Sequence, residues 1–389
     1  MKRLVYALVG LFLLGALKGE SLQEKAERIV REAIIIDAHE DVPTTLLKED
    51  VSVRRGKGHF DLPRAFLGGL TAPCFAIYTP HSYDNNHPAE FALREVAGVY
   101  RFAYQNSDRV LIAFSWKDIL RAKGEGKLAI VVTMENSSPV EDPSQLLVWR
   151  RLGLRMAILT HMRTNRYADS STDKEKWGGL SPQGREMIKV MNRLGTLVDV
   201  SHLSDKAAEQ AIELTELPPV ASHSCARALN PVERNLPDYL IKAIASKGGV
   251  IGVNFFPVFL SPEVSSRWKE VYGEFKRKLK EEGREKAVEF LHRQMDKLPK
   301  TDVKDVVKHI KYIADLVGIE HVGLGTDFEG ISVAPVGLED VSQFKNLVYE
   351  MLKEGFSEGE VKMVLGENFL RVFRRADEVY WKNFPWMAK

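Results

Sequence analysis

Apolar positions along the chain fall into two kinds of stretch. Short runs, rich in β-branched residues, occur at Ala33–Asp37, Leu70–Tyr78, Leu128–Glu135, Gly153–His161, Gly195–His202, Pro219–His223, Gly248–Phe255 and His321–Phe328. They read as buried strands. Amphipathic, helix-patterned segments lie between them, including Ala89–Gln105, Gln183–Leu194, Asp205–Leu214 and Pro237–Lys247. Val303–Val317 precedes the eighth run, and Val341–Glu354 and Ser357–Leu365 follow it. Strands alternating with helices imply parallel pairing through right-handed crossovers. Eight such units predict an α/β fold, a closed (β/α)8 TIM-type barrel, and 389 residues suit one. A doubly wound open sheet is the alternative. Its dinucleotide-binding version is disfavoured, because no Gly-x-Gly-x-x-Gly follows an early strand.

Three stretches depart from the alternation. Lys2 and Arg3 precede an unbroken apolar run, Leu4–Leu17, which Lys18, Gly19 and Glu20 end. A basic start and an apolar stretch of this length fit a secretory signal peptide. The run is short for a bilayer-spanning helix, which needs about 20 residues. The body of the protein is therefore expected to be exported to the periplasm, the cell surface or the medium. An uncleaved N-terminal anchor, giving membrane association, is the alternative. Residues 21–389 then form a single domain. Asp41–Leu67 reads as a long loop, and a charged, helix-patterned insertion occupies about 262–299.

Composition changes this picture little. The chain is 44% hydrophobic and 28% charged, which fits a globular protein. A net charge of +2 gives no reason to expect nucleic acid as a partner. Cys74 falls on strand two and Cys225 just past strand six of the eight, and those strands are opposite each other in a barrel. A disulfide between them is not expected.

The chemistry sits where the predicted strands end. In a barrel of this kind those ends build the active site. The first run leads into His39 and Asp41. The third ends in Glu135, the fourth in His161, the fifth in His202, the sixth in His223 and the eighth in Asp327-Phe328. Four imidazoles and three carboxylates around one barrel mouth are costly to desolvate unless cations compensate them. They exceed what one tetrahedral zinc needs, and two metals would use them. The expected reaction class is metal-assisted hydrolysis of an amide or related bond.

These residues carry a resemblance. Asp37-Ala38-His39-Glu40-Asp41-Val42-Pro43, Leu159-Thr160-His161 with Asn165, and Met191-Asn192-Arg193-Leu194-Gly195 open the match. Val198-Asp199-Val200-Ser201-His202, Ser222-His223-Ser224 and Arg234-Asn235-Leu236-Pro237-Asp238 continue it. His321 through Gly330 and Gly366 through Val372 complete it. Together they resemble the membrane dipeptidase (renal dipeptidase) family of zinc metallopeptidases, within the amidohydrolase-type barrels. The family usually has Gly-His-Asn in the first motif, whereas Ala38 and Glu40 flank the His here.

The resemblance implies a dipeptidase with two Zn2+ per chain, other divalent metals being possible, and suggests a homodimer. His39 and Asp41 would hold one ion, His202 and His223 the other, and Glu135 both. His161 would stabilise the oxyanion, and Arg234 would pair with the dipeptide carboxylate. Asp327 would take a proton from the bridging hydroxide and pass it to the leaving amine. A related metallo-hydrolase acting on acyl amino acids, β-lactams or lactones is the nearest alternative. A barrel that binds without catalysis is a more distant one. His59, His81 and His87 read as surface residues. Asp199 reads as structural, or as orienting His202.

Overall fold

The structure is a computed structural model that describes residues 20–295 and 297–387. The expected signal or anchor segment lies outside them. Among the described residues nine parallel strands form: β1 (Ile35–Glu40), β2 (Leu70–Tyr78), β3 (Val110–Ile112), β4 (Leu128–Glu135), β5 (Leu154–Ile158), β6 (Leu197–Asp199), β7 (Val220–Ala221), β8 (Val250–Val253) and β9 (Val322–Leu324). Their order is β2-β1-β9-β8-β7-β6-β5-β4, and β2 also pairs with β4, so eight strands close into a barrel. The eight barrel strands coincide with the eight apolar runs. The ninth, β3, pairs only with the start of β4 and lies outside the closure.

Barrel strands are buried on both faces, which explains their near-continuous apolar character. Every residue of β1 and β4 is buried. The register of β2 on β4 runs from Cys74 opposite Val131 to Tyr78 opposite Glu135. That ladder delivers Tyr78 and Glu135 to the same rim. Cys74 and Cys225 are both free and buried.

Several ladders are shorter than the runs that predict them. β6, β7 and β9 stop at Asp199, Ala221 and Leu324. Beyond them the backbone turns away from strand geometry, and His202 and Asp327 take φ of 67° and 64°. Asp41 likewise lies past the end of β1, where its N–H donates to the Phe328 carbonyl at 2.8 Å. His39 is on the strand and Asp41 just past it, yet the two side chains face the same site, with His39 Nε2 3.7 Å from Asp41 Oδ2.

Helices wrap the barrel. Leu22–Glu32 starts in a capping box, in which Ser21 and Glu24 satisfy each other's backbone N–H. The expected long loop contains two short helices, Val42–Leu46 and Leu62–Leu67. The insertion is a helical pair, Pro262–Glu281 and Arg284–Met295. The C-terminal helix Asn368–Asn383 was not visible as a strand-helix unit. It is fixed by buried charge: Asp377 accepts from Arg150 at 3.2 Å and also pairs with Arg155. It accepts from the Trp116 N–H at 2.7 Å as well. A carboxylate buried this deeply is tolerated because each oxygen is partnered.

Candidate metal centre

The strand ends bring the seven expected donor residues to one mouth, and Arg234, from the segment after β7, is buried beside them. Glu135, at the end of β4, is the hub. Its Oε1 lies 3.0 Å from His202 Nε2, 3.5 Å from His223 Nε2, 3.6 Å from His39 Nε2 and 3.8 Å from His161 Nε2. His39 Nε2 is also 3.7 Å from Asp41 Oδ2. Three groups of ligand atoms are close enough to share an ion: His39, Glu135 and His223; Glu135, His161 and His202; His39, Asp41 and Asp327. His161 and Asp327 thus sit among the donor groups, and Glu135 belongs to two of the three.

Local backbone sets these positions. Asn136, His202, Asp327 and Glu329 all adopt left-handed φ near 65°, and all four are at the mouth. Non-glycine residues there cost of order 1–3 kcal/mol each, and such conformations persist where the surroundings over-determine them. The supports are visible. Asp37 is fully buried and accepts from the backbone N–H of His39 at 3.3 Å and of Thr326 at 2.8 Å. It ties the tips of β1 and β9 together. Asp199 accepts from the N–H groups of Ser201 and Ser222 at 2.9 and 3.0 Å. It therefore shapes the turns carrying His202 and His223, and the His202 ring is not its partner.

Other supports carried no spacing signal in the sequence. Ser222 Oγ lies 2.7 Å from His223 Nδ1, which directs Nε2 of that ring into the cluster. Asn254 donates to Asp327 Oδ2 at 2.9 Å. Tyr78 packs edge-on against His161, ring centres 4.9 Å apart. His59 corrects the expectation of a surface residue: it stacks on Phe328 at 5.2 Å and its Nδ1 accepts from the Glu329 N–H. His81 and His87 are exposed.

Electrostatics fit a divalent-cation site. Burial, reinforced by the Arg234 guanidinium, pushes the His39 and His161 imidazoles down to about 3. Burial holds His202 and His223 well below the usual range too. Burial and neighbouring carboxylates raise Asp41 and Glu135 well above theirs, and burial raises Asp327 to about 6. Neutral imidazoles are metal-ready, because ligation requires the unprotonated ring. A cation would also stabilise the carboxylates that burial disfavours. His39 Nε2 is buried with no hydrogen-bond partner among the described residues. His202 and His223 approach Nε2 to Nε2 at 2.9 Å, a contact that a shared proton or a shared cation makes favourable. On these grounds the residues fit the metals that the resemblance implies.

Arg234 is buried beside this cluster. It donates to the His223 carbonyl at 3.1 Å and to Ser224 Oγ at 3.4 Å, and its Nε has no partner among the described residues. A buried guanidinium with an unmet donor can still pair with a carboxylate.

The mouth has little slack. A Cβ at Gly330 would lie 2.1 Å from Asp41 Oδ2 and 2.6 Å from Asp327 Oδ1. Gly330 is itself exposed. Gly330→Ala is expected to displace both carboxylates and lower kcat/KM about 10- to 100-fold, the range seen when groups orienting metal ligands are lost. Circular dichroism should stay unchanged. Wild-type kinetics in the variant would show that neither carboxylate needs its present position.

The chain is similar to known proteins. A family model described as membrane dipeptidase (peptidase family M19) matches residues 23–383. The chain is 32% identical over 332 residues to dipeptidase tcpJ of Claviceps purpurea (strain 20.1), covering 83% of this chain and 70% of that protein. It is 29% identical to dipeptidase aclJ of Aspergillus oryzae, with 83% and 71% covered. Among solved structures, the probable dipeptidase PvdM from Pseudomonas aeruginosa superposes with a TM-score of 0.82 at 28% identity. That match covers 92% of this chain and 99% of the other.

Proposed function

Because the chain belongs to the membrane dipeptidase family, we propose that it cleaves free dipeptides with a pair of divalent ions, zinc by preference, held at the barrel mouth. That it is a dipeptidase, a metallo-hydrolase acting on dipeptides, follows from the family. The observation that carries the finer reading is the hub: one Glu135 oxygen within 3.0–3.8 Å of four imidazole nitrogens. His39 and Asp41 would hold one ion, His202 and His223 the other, with Glu135 common to both.

When bound, such a pair supplies a hydroxide near neutral pH and polarises the scissile carbonyl. The chain's own residues do the rest. Arg234 binds the substrate carboxylate and so fixes the distance to the scissile amide. His161, kept neutral by burial, donates from its ring to the carbonyl oxygen as negative charge develops there. Asp327 accepts the proton of the attacking water and delivers it to the leaving amine nitrogen. Asn254 holds Asp327 for that transfer. The C–N bond breaks as the new C–O bond is retained, and two amino acids leave.

Hydrolysis of a small dipeptide library should be abolished by a chelator and restored by zinc, with two ions bound per replete chain. Full activity after chelation would overturn the metal reading. Turnover of acyl amino acids, β-lactams or lactones in preference to every dipeptide would move the substrate assignment.

We also propose that the protein acts after export, on the strength of the Lys2-Arg3 start and the Leu4–Leu17 run. No helix among the described residues is long and apolar enough to cross a membrane. N-terminal sequencing of the native product should begin roughly 15–20 residues in, as a signal peptide's dimensions imply. Recovery of intact Met1 from a detergent-requiring fraction would favour the anchor. A homodimer belongs to the same proposal, and light scattering at twice the chain mass would bear it out.

A further inference from the structure

Arg234 does not stand alone. Its guanidinium carbon lies 5.2 Å from the centre of the Phe259 ring. Phe259 meets Phe256 edge-on at 5.3 Å, and Phe256 meets Trp268 edge-on at 5.8 Å. Three aromatic rings thus run in series from the guanidinium: Phe259 in the short helix Pro257–Leu260, Phe256 just before it, and Trp268 on the inserted helix Pro262–Glu281. Phe256, Phe259 and Trp268 are each only partly buried. Their inner edges rest on Val258, Val264, Met295 and Leu298.

Two asparagines register this wall with the reacting groups. Asn235, the neighbour of Arg234, donates to the Phe259 carbonyl at 2.8 Å. Asn254, which holds Asp327, accepts from the Phe256 N–H at 2.6 Å. The wall is therefore tied both to the carboxylate clamp and to the proton carrier. In a dipeptide the C-terminal side chain and the carboxylate branch from one Cα. A carboxylate paired with Arg234 brings that side chain beside the rings.

We propose that Phe256 and Phe259, extended by Trp268, form the surface that receives the C-terminal side chain, and that the enzyme selects dipeptides whose C-terminal residue is large and apolar. The inference rests on the dipeptidase reading. Aromatic faces offer a large apolar contact that glycine leaves uncovered. The helical insertion then has a role in substrate choice, because Trp268 is its contribution to the wall.

The test compares kcat/KM for Gly-Gly, Gly-Leu and Gly-Phe with the metal-loaded enzyme, in wild type, Phe256→Ala and Trp268→Ala. Wild type should favour Gly-Leu and Gly-Phe over Gly-Gly on the order of 10- to 100-fold, the discrimination that burial of one large apolar side chain supplies. Both variants should reduce that ratio, Phe256→Ala more, mainly through KM for the bulky substrates. Trp268→Ala lies farther from Arg234 and decides the matter if Phe256→Ala does not fold. A purely packing role would slow all three substrates together and leave the ratio unaltered, which overturns the proposal. Equal cleavage of the three by wild type also overturns it while the dipeptidase reading stands. Failure to cleave any dipeptide overturns both.

Discussion

Glu135→Gln is expected to lower kcat/KM on the order of 10³-fold, the scale on which loss of one charge-stabilising group acts. The amide keeps the shape of the carboxylate and removes its charge. Wild-type Glu135 faces four imidazole nitrogens within 3.8 Å and is reached by no lysine or arginine ion pair among the described residues. Its natural counter-charge is a cation. With the charge gone, only imidazoles, Asp41 and Asp327 remain to hold the ions, so metal content should fall below two per chain. Because ligand binding to the folded state adds stability, the zinc-dependent rise in thermal midpoint should shrink as well. Metal analysis, kinetics and thermal melts with and without zinc check the three consequences separately. A variant that retains two tightly bound ions and full activity would show that Glu135 is not shared between them.

Arg234→Ala should act on substrate choice and leave the metals in place. A dipeptide places its carboxylate one residue beyond the scissile amide, whereas a longer peptide places a neutral amide there. A charge-assisted hydrogen bond contributes about 1.5–3 kcal/mol. Its loss corresponds to roughly 10- to 150-fold in kcat/KM. Wild type should therefore cleave a dipeptide well and its C-terminal amide or a tripeptide poorly. The variant should lose most of that preference by slowing the free dipeptide. Part of the loss would come from the barrel itself, because Arg234 also donates to the His223 carbonyl. Unchanged metal content separates the two causes. If wild type treats dipeptide and amide alike, Arg234 is not the carboxylate clamp.

Much of the fold was legible without coordinates. Eight apolar runs mapped onto eight barrel strands, because strands covered on both faces must be apolar nearly throughout. β3 was not legible: three residues at the barrel's edge carry no periodicity. The C-terminal helix escaped for a different reason. It does not alternate with a following strand, and what fixes it is a carboxylate at Asp377 shared by arginines more than 200 residues earlier. Strand ends were overestimated at β6, β7 and β9, since the sequence stays suited to strands where the backbone has already turned towards the mouth.

The site divides in the same way. The order of the chain by itself determined which donors end the strands: His39, Glu135, His161, His202, His223 and Asp327 each follow an apolar run. Parallel barrel strands all end on one rim, so that linear fact already implied a cluster. Only the tertiary structure decided which donors meet. His39 and His223 are far apart in the chain, yet their rings stand 3.8 Å apart because β1 and β7 are brought together by closure of the barrel. Closure likewise set Asn254 on Asp327 and the aromatic rings beside Arg234, whereas Ser222 and His223 are chain neighbours. Side chains on the same strand are related by a local period that sequence displays. Side chains on different strands are related by register, twist and left-handed turns at the tips, and those exist only once the whole core has packed.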